Sequence, residues 1–273
     1  MNNNYEILKI KNIIINTQTI KTFVFDWEMK REIPKPGQFM MVWNFNGGGD
    51  EKPMSISKID LDNEEISITV KNVGEFTNNL HFLKIGDKLG IRGPYGNNFK
   101  LSGDNILAIG GGVGMAPLKS FVEHAKLKNK SVDVVIASIT QCELLFEDDF
   151  KKLGVNVFTS TDDGSCGYKG FATNRTIDLL KNKTYDMAIV CGPEIMMKGI
   201  FNILEDNNIN GQYSMERYMK CAIGICGQCC VDNTGWRVCM EGPIFSSEEI
   251  KQITEFGNYH RDGAGIKILN NNF

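Results

Sequence analysis

The sequence lacks the features that would place the protein in a membrane or on a nucleic acid. No apolar run approaches the roughly 20 residues that span a bilayer, and residues 1–6 show no basic stretch leading into an apolar one. With 30 basic and 33 acidic residues, the net charge of −3 leaves no basic excess for nucleic acid. We therefore expect a cytoplasmic protein that binds neither membranes nor nucleic acids.

Histidine is also scarce, and its placement excludes one class of active site. His81, His124 and His260 are far apart in the sequence and indicate neither a catalytic triad nor a histidine metal cage. Cysteine is more plentiful, but five of the eight lie between residues 221 and 239, too close together to staple a whole chain by disulfides. Clustered thiols in such a chain indicate metal binding.

The order of short segments predicts three structural parts. From residue 5 to about 92, short β-rich segments alternate with turns, which predicts a small barrel or sandwich. From about residue 105, short apolar strands alternate with helical stretches, which predicts a parallel sheet covered by helices. After Gly211 the chain is polar with little periodicity, and ligand bonds to a metal cluster would explain how it stays ordered.

Four cysteines in this last part carry the most specific signal. Cys221, Cys226, Cys229 and Cys239 have the C-x4-C-x2-C…C spacing of plant-type 2Fe-2S proteins. A structural zinc site and free buried thiols are the alternatives, although zinc sites favour C-x2-C pairs over a four-residue gap. The spacing therefore predicts a 2Fe-2S cluster and a role in electron transfer.

The residues around these cysteines fit the same interpretation. Gly224 and Gly227 would let the backbone wrap closely around a cluster and point amides at its sulfurs. Cys230 is a fifth thiol, but side chains of neighbouring residues diverge, so beside Cys229 it is predicted not to be a ligand.

Three turns follow predicted strands of the second part. Gly110, Gly111, Gly112, Val113 and Gly114 lie between a strand and a helix, where exposed amides favour phosphate, although Met115 breaks the G-x-G-x-x-G fingerprint. The stretches 161–165 and 191–193 fall at the carboxyl edge of the sheet, where open α/β sheets bind ligands. An ordinary tight turn is the alternative for each of the three.

Two motifs of the β-rich part could hold a phosphorylated cofactor. The stretch 52–57 (KPMSIS) places a cation and a hydroxyl beside a rigid proline, and 73–77 (VGEFT) offers backbone amides and another hydroxyl. Judged without context, both are predicted as loops.

Taken in order, these motifs resemble the ferredoxin-NADP reductase superfamily and, within it, the electron-transfer subunits of NAD-dependent dihydroorotate dehydrogenase B. The stretches that carry the resemblance are 36–39 (PGQF), 52–55 (KPMS), 74–77 (GEFT), 93–96 (GPYG), 143–147 (ELLFE), 214–217 (SMER), 239–245 (CMEGPIF) and 256–262 (FGNYHRD). The resemblance implies an α+β multidomain chain: an antiparallel FAD-binding β-barrel over residues 1–100, an NAD-binding parallel-sheet α/β domain over 101–210 and a 2Fe-2S segment over 211–273.

The resemblance also assigns residues to the two nucleotide cofactors. For FAD they are Lys52, Pro53, Met54, Ser55, Thr69, Val70, Lys71, Phe76 and Thr77. For NAD they are Gly110, Gly111, Gly112, Val113, Gly114, Thr161, Asp162, Cys191, Gly192 and Pro193. Two positions depart from the family pattern, because Lys52 replaces the usual arginine and Phe76 replaces a glycine. Asp162 and Asp163 would repel a 2′-phosphate near the ribose, which favours NAD over NADP.

The function that the resemblance implies is electron transfer in pyrimidine (UMP) biosynthesis. Electrons would leave the FMN of a dihydroorotate dehydrogenase catalytic subunit, pass through the 2Fe-2S cluster to FAD and reduce NAD, and no side chain would act as an acid or base. The partner would be that catalytic subunit, in a heterotetramer of two of each. The alternatives are the flavin subunit of a sulfhydrogenase or of a ferredoxin-dependent NAD(P) transhydrogenase, and a redox sensor without enzymatic activity.

Overall fold

The computed structural model describes residues 5–28, 30–45, 47 and 49–270. The amino-terminal part is a closed antiparallel barrel of six strands with the order β1-β2-β5-β4-β3-β6. The strands are β1 (Glu6–Ile15), β2 (Ile20–Asp26), β3 (Phe39–Trp43), β4 (Lys52–Asp60), β5 (Glu65–Lys71) and β6 (Lys88–Tyr95), with helix α1 (Glu75–His81) between the last two. Closure leaves no free strand edge, and Phe23, Phe25 and Ile68 fill the barrel interior.

The structure corrects two predicted loops in this part. Residues 52–57 lie in β4, where Pro53 pairs with Met41 of β3. Of the stretch 73–77, residues 73 and 74 lie in a loop as predicted, but residues 75–77 form the first turn of α1. Proline has no N–H to donate to a ladder, so it favours a loop in a sequence, but it is tolerated near the start of a strand.

The second part is a seven-stranded sheet in the order β10-β9-β8-β7-β11-β12-β13, parallel except for its last strand. The strands are β7 (Asn105–Gly111), β8 (Ser131–Ser138), β9 (Asn156–Thr161), β10 (Tyr168–Lys169), β11 (Met187–Cys191), β12 (Asn210–Ser214) and β13 (Ile244–Ser246). The helices are α2 (Met115–Leu127), α3 (Glu147–Lys152), α4 (Ala172–Leu180) and α5 (Glu194–Asp206). Leu118, Phe121 and Val122 of α2 are buried in the core around this sheet.

The cysteine-rich part begins and ends in this sheet. β12 leads into residues 215–243, which contain all the predicted cluster ligands, and β13 then returns antiparallel to β12. Beyond β13 follow α6 (Ser247–Ile250) and a hairpin of β14 (Tyr259–Arg261) and β15 (Lys267–Leu269). The predicted α+β fold class is confirmed, while the cysteine-rich part is fastened to the nucleotide sheet at both ends. No helix in the described ranges is long and apolar enough to cross a bilayer.

A buried ion-pair network joins the cysteine-rich part to α5. Arg217 is 4% exposed and binds Glu255, itself 1% exposed, through Nε and Oε1 at 2.6 Å. Its Nη1 donates to Oε2 of Glu194 at 3.0 Å, and Oε2 of Glu255 accepts the amide of Asp232 at 2.9 Å. One guanidinium thus connects the first turn of α5 to the segments on both sides of Cys239.

Arg217→Met is expected to lower the free energy of unfolding by about 3 kcal/mol, because it leaves two buried carboxylates without their cation. The measurement is the denaturant midpoint of the whole chain. Lys251→Met is the matched control, since Lys251 also binds two carboxylates, Glu205 and Glu248, but is 43% exposed. Its loss should cost less than about 1 kcal/mol; equal losses in the two variants would contradict the role assigned to Arg217.

Candidate functional site

A cleft lies between the barrel, the glycine-rich turn and the start of the cysteine-rich part. It contains a cavity of about 340 Å³, which we call the flavin-sized cavity. The barrel side of this cavity is formed by β4, β5 and α1. Opposite lie Val113 of the glycine-rich turn and Ala116 and Pro117 of the first turn of α2, and residues 214–217 with Met219 form a third wall. The lining is mostly apolar with a few hydroxyl and charged groups, which is typical of a site for a planar cofactor.

A second cavity, of about 450 Å³, continues this cleft along α1. It is lined by Gly49, Asp50, Lys52, Val73, Gly74, Glu75, Phe76, Thr77 and Asn79, and it shares Val73 and Thr77 with the first cavity. Every residue predicted to bind FAD lines one of these two cavities. The structure thus brings together stretches that are separated by up to 25 positions (52 to 77) in the sequence.

Lys52 occupies the position where the resemblance expects an arginine. Its Nζ lies 5.0 Å from the ring centroid of Tyr218, a cation–π contact between the barrel and the cysteine-rich part. The ammonium at the cavity wall is thereby held on an aromatic ring rather than by a carboxylate, so its charge stays available for an anionic group in the cavity.

Sequence reasoning missed Glu216 as a residue of the cleft. Glu216 lines the flavin-sized cavity with its side chain still accessible to solvent, and desolvation by the surrounding walls, followed by the negative charge of Glu194, raises the pKa of its carboxyl group. The stretch 214–217 supported the family resemblance but was assigned no site, because nothing in its local pattern indicates which chain segment it will face.

The predicted NAD residues gather at the carboxyl edge of the sheet. β7 and β11 pair in parallel with Gly110 opposite Cys191, so the glycine-rich turn and residues 191–193 are neighbours. A Cβ atom added to Gly114 would lie 2.5 Å from the carbonyl oxygen of Cys191 and 2.7 Å from Cα of Gly192. Only glycine permits this approach. Cys191 is 2% exposed, and burial raises the pKa of its thiol.

Thr161 and Asp162 lie at the same edge, at the end of β9, with β8 between them and the glycine-rich turn. Burial, followed by the charge of Asp163, raises the pKa of Asp162. Hydrogen bonds from the side chain and amide of Ser165 lower the pKa of Asp163. The edge therefore carries two acidic groups beside the predicted NAD residues.

The structure arranges the four predicted cluster ligands in two pairs. The amide of Cys226 donates to Sγ of Cys221 at 3.5 Å, and the amide of Cys239 donates to Sγ of Cys229 at 3.4 Å. Cys226 is exposed, Cys221 is half-buried, and Cys229 and Cys239 are buried. One pair thus faces the surface, and the other lies inside.

Hydrogen bonds stabilise the thiolate forms of Cys221 and Cys229, whereas the hydrogen bond to Cys229, followed by burial, raises the pKa of Cys239. Burial alone would raise the pKa of Cys221, but the amides of Cys226, Ile223 and Ile225 outweigh it and lower that pKa to about 7. A hydrogen bond from the Cys239 thiol, together with nearby amides, lowers the pKa of Cys229 to about 6. Amides directed at sulfur are the environment in which iron–sulfur thiolates are held.

Two glycines shape this loop in the way the sequence suggested. Gly224 has φ +74° and Gly227 has φ +70°, a backbone region that glycine adopts without strain. A Cβ on Gly224 would lie 2.6 Å from Cγ of Met240. The loop can therefore fold tightly over the segment that carries Cys239.

The two cysteine pairs are compatible with a 2Fe-2S cluster, which distributes four thiolates over two irons. Cys230 forms a backbone bridge with Arg237, and burial followed by the charge of Cys229 raises the pKa of its thiol.

Comparison with known proteins agrees with this division of the chain. The family model for the iron-sulfur cluster binding domain of dihydroorotate dehydrogenase B matches residues 216–251, and that for the oxidoreductase NAD-binding domain matches residues 108–201. A probable dihydroorotate dehydrogenase B (NAD(+)), electron transfer subunit, from Methanothermobacter thermautotrophicus is 52% identical over 263 residues, which are 96% of this chain and 97% of the relative. The chain belongs to this family of electron-transfer subunits.

Other similarities distinguish this family from the alternative of a ferredoxin-dependent NAD(P) transhydrogenase. The dihydroorotate dehydrogenase B electron transfer subunit of Methanocaldococcus jannaschii, also described as probable, is 47% identical over 96% of this chain and 97% of its own. A solved structure of an NADH-dependent reduced ferredoxin-NADP oxidoreductase superposes with a TM-score of 0.80 over 91% of this chain and 93% of that one, but at 26% identity. The higher identities favour the dihydroorotate dehydrogenase B family over the transhydrogenase alternative. They confirm the predicted resemblance and the prediction of an NAD-linked oxidoreductase subunit.

Proposed function

We propose that this electron-transfer subunit carries electrons from the FMN of a dihydroorotate dehydrogenase catalytic subunit through a 2Fe-2S cluster and FAD to NAD, in pyrimidine biosynthesis. The observation that carries the proposal is the path of the cysteine-rich part. Residues 214–217 and Met219 line the flavin-sized cavity just before Cys221, and Pro243 lines it just after Cys239. The cysteines are therefore connected at both ends to the wall of that cavity.

The matched family models describe an iron-sulfur cluster binding domain and an NAD-binding domain, which supports the predicted cofactor set of FAD, a 2Fe-2S cluster and NAD. When bound, the flavin can exchange single electrons with a cluster and electron pairs with a nicotinamide, which is why it stands between the two. The residues of this chain would bind these cofactors and orient them toward each other. We propose that the cleft residues 52–55, 69–71, 76 and 77 hold FAD, and that Gly110–Gly114, Thr161, Asp162 and Cys191–Pro193 hold NAD.

For the cluster, we propose that Cys221 and Cys226 bind one iron and that Cys229 and Cys239 bind the other. The two amide-to-sulfur contacts within these pairs support this division. Cys226 is the exposed ligand, and its neighbour Ile225 is 79% exposed. Electrons from a partner would therefore enter on the side of the first pair.

A subunit that transfers electrons requires a catalytic subunit to supply them. We propose that the partner contains FMN, that the complex is a heterotetramer of two of each subunit and that it works in the cytoplasm. The test is anaerobic copurification with the dihydroorotate dehydrogenase catalytic subunit, followed by NADH formation from dihydroorotate and a molar mass from light scattering. Cofactor-loaded protein that neither binds the catalytic subunit nor supports NADH formation would refute the assignment.

The anionic groups after β9 predict selectivity for NADH over NADPH. Asp162→Ser is expected to lower the ratio of kcat/KM for NADH to that for NADPH about tenfold, because it removes the charge nearest the predicted ribose site. Flavin-dependent dye reduction with each nucleotide measures this ratio. Asp178→Ser, at an exposed ion pair on α4, is the control and should leave it unchanged; an unchanged ratio in Asp162→Ser would contradict the predicted ribose position.

A further inference from the structure

The buried guanidinium of Arg92, on barrel strand β6, uses all five of its N–H donors. Nε binds Oε2 of Glu51 at 2.7 Å, and one Nη2 hydrogen binds the other oxygen of that carboxylate. Nη1 donates to the hydroxyl of Tyr95 at 3.1 Å and to the carbonyl oxygen of Cys221 at 2.9 Å. The second Nη2 hydrogen reaches the carbonyl of Lys220 at 3.3 Å. With 7% of its surface exposed, Arg92 is a fully satisfied buried cation.

Two of these bonds cross from the barrel to residues 220–243, the cluster loop that contains the four predicted iron ligands. They hold the carbonyls of Lys220 and Cys221, which lie 128 and 129 positions further along the chain. The remaining bonds fix the orientation of the guanidinium, since Glu51 is itself bound by the hydroxyl of Tyr5. The backbone at the first predicted iron ligand, Cys221, is therefore hydrogen-bonded to a single barrel side chain, Arg92.

Asn97, just beyond β6, holds the other end of the loop. Its Nδ2 donates to the carbonyls of Glu241 at 2.7 Å and Ile244 at 2.8 Å, and its Oδ1 accepts the amide of Ile244 at 2.9 Å. The loop is thus fastened at Lys220 and Cys221 by a residue of β6, and after Cys239 by a residue that lies just beyond the same strand. This attachment is independent of the Arg217 network.

The barrel strand that fastens the loop also adjoins the flavin cleft. Tyr95, which accepts a bond from Arg92, packs on Phe39 with ring centroids 6.0 Å apart, and Phe39 lines the flavin-sized cavity. Arg92 therefore lies between the wall of that cavity and the first cluster ligand. The rate of electron transfer between two cofactors falls as their separation grows, so a shift of the loop away from the cavity wall would slow it.

We propose that Arg92 is a positioning residue for electron transfer between the cluster and FAD, and that its charge helps to set the cluster's potential. The inference rests on the proposed function, since it requires both cofactors. A lysine could supply the charge but not five donors in a planar fork, so only arginine can bind Glu51 and both carbonyls together.

The charge of Arg92 acts in a defined direction. A cluster gains negative charge when it is reduced, and a cation beside it favours that state, whereas the carboxylate of Glu51 opposes it. Removing the cation should lower the midpoint potential of the cluster. Neutralising Glu51 should raise that potential, because the guanidinium is then uncompensated.

The experiment compares the wild-type chain with Arg92→Gln, Arg92→Lys and Glu51→Gln, all purified without oxygen. Arg31→Gln is the matched control, because Arg31 also lies in the barrel part and is largely buried, but its described partners are Glu6, Glu28 and Trp27. The readouts are FAD and iron content, the midpoint potential of the cluster from an EPR-monitored titration, and stopped-flow rates of flavin reduction by NADH and of subsequent cluster reduction.

In Arg92→Gln, the rate of cluster reduction relative to flavin reduction should fall several-fold, with a lowered midpoint potential. Arg92→Lys should lose the rate but keep most of the potential, Glu51→Gln should raise the potential, and Arg31→Gln should match the wild type. If Arg92→Gln holds both cofactors with a wild-type rate ratio and potential, the inference is overturned while the proposed function stands.

If Arg92→Gln fails to retain its cofactors, Glu51→Gln decides. A raised potential supports the inference, and an unchanged one overturns it. A wild-type chain that binds no cluster or no FAD would overturn the proposed function and this inference with it.

Discussion

Cys239→Ser is expected to abolish cluster binding while the flavin stays in place. Iron should fall from about two atoms per chain to less than about 0.2, because the cluster needs four thiolates and a serine oxygen is a poor ligand for iron–sulfur centres. Cys239 is buried in the cluster loop with 1% of its surface exposed. The predicted FAD residues instead line cavities on the barrel side. Iron and labile sulfide analysis, with flavin absorbance on the same anaerobic sample, measures both effects.

Cys230→Ser is the control for this substitution. Cys230 lies in the same loop and is adjacent to Cys229, but its backbone is bridged to Arg237. It should keep its iron. Loss of iron from Cys230→Ser together with retention in Cys239→Ser would show that the predicted ligand set is wrong.

Gly114→Ala is expected to reduce the rate of flavin reduction by NADH at least about tenfold, through misplacement of the nicotinamide site. The added Cβ would lie 2.5 Å from the carbonyl oxygen of Cys191 and 2.7 Å from Cα of Gly192, and both of these are backbone atoms. The start of α2 must therefore move away from residues 191 and 192, at a cost of about 1–3 kcal/mol in stability. Anaerobic stopped-flow reduction and a thermal melt measure the two effects.

Gly154→Asn is the matched control in the same domain. Gly154 has φ +67°, which asparagine tolerates, and an added Cβ meets no atom of the described residues within 4 Å. Its rate and melting temperature should stay close to those of the wild type. If Gly114→Ala also keeps its rate, then the glycine-rich turn does not position the nucleotide.

The parts of the fold that sequence reasoning predicted are those with local signals. Strand β7 and helix α2 follow from an apolar run, a glycine turn and helical spacing within one stretch of chain. Strand β4 was predicted as a loop because it contains Pro53, and its pairing with both β3 and β5 makes it a strand. Strand β12 begins the stretch that was predicted as polar chain with little periodicity, and it is held in place by neighbours on both sides, β11 and β13.

The candidate sites also divide into those with a local signal in the sequence and those without one. The cysteine spacing is a local pattern, so the sequence by itself determined the predicted cluster, and the ordered motifs determined the family. The sequence could not place Glu216 in the flavin cleft, nor the charges of Arg217 and Arg92 in buried networks.

Those placements depend on contacts between residues far apart in the chain. The bonds from Arg92 to the cluster loop span 128 and 129 positions, and Arg217 joins groups 23 and 38 positions away. Such pairs leave no periodicity, because their partners become neighbours only when the barrel, the sheet and the loop pack together. The sequence thus predicts which cofactors the chain binds, whereas the hydrogen bonds that hold the cysteine loop against the barrel follow only from the packing of distant segments.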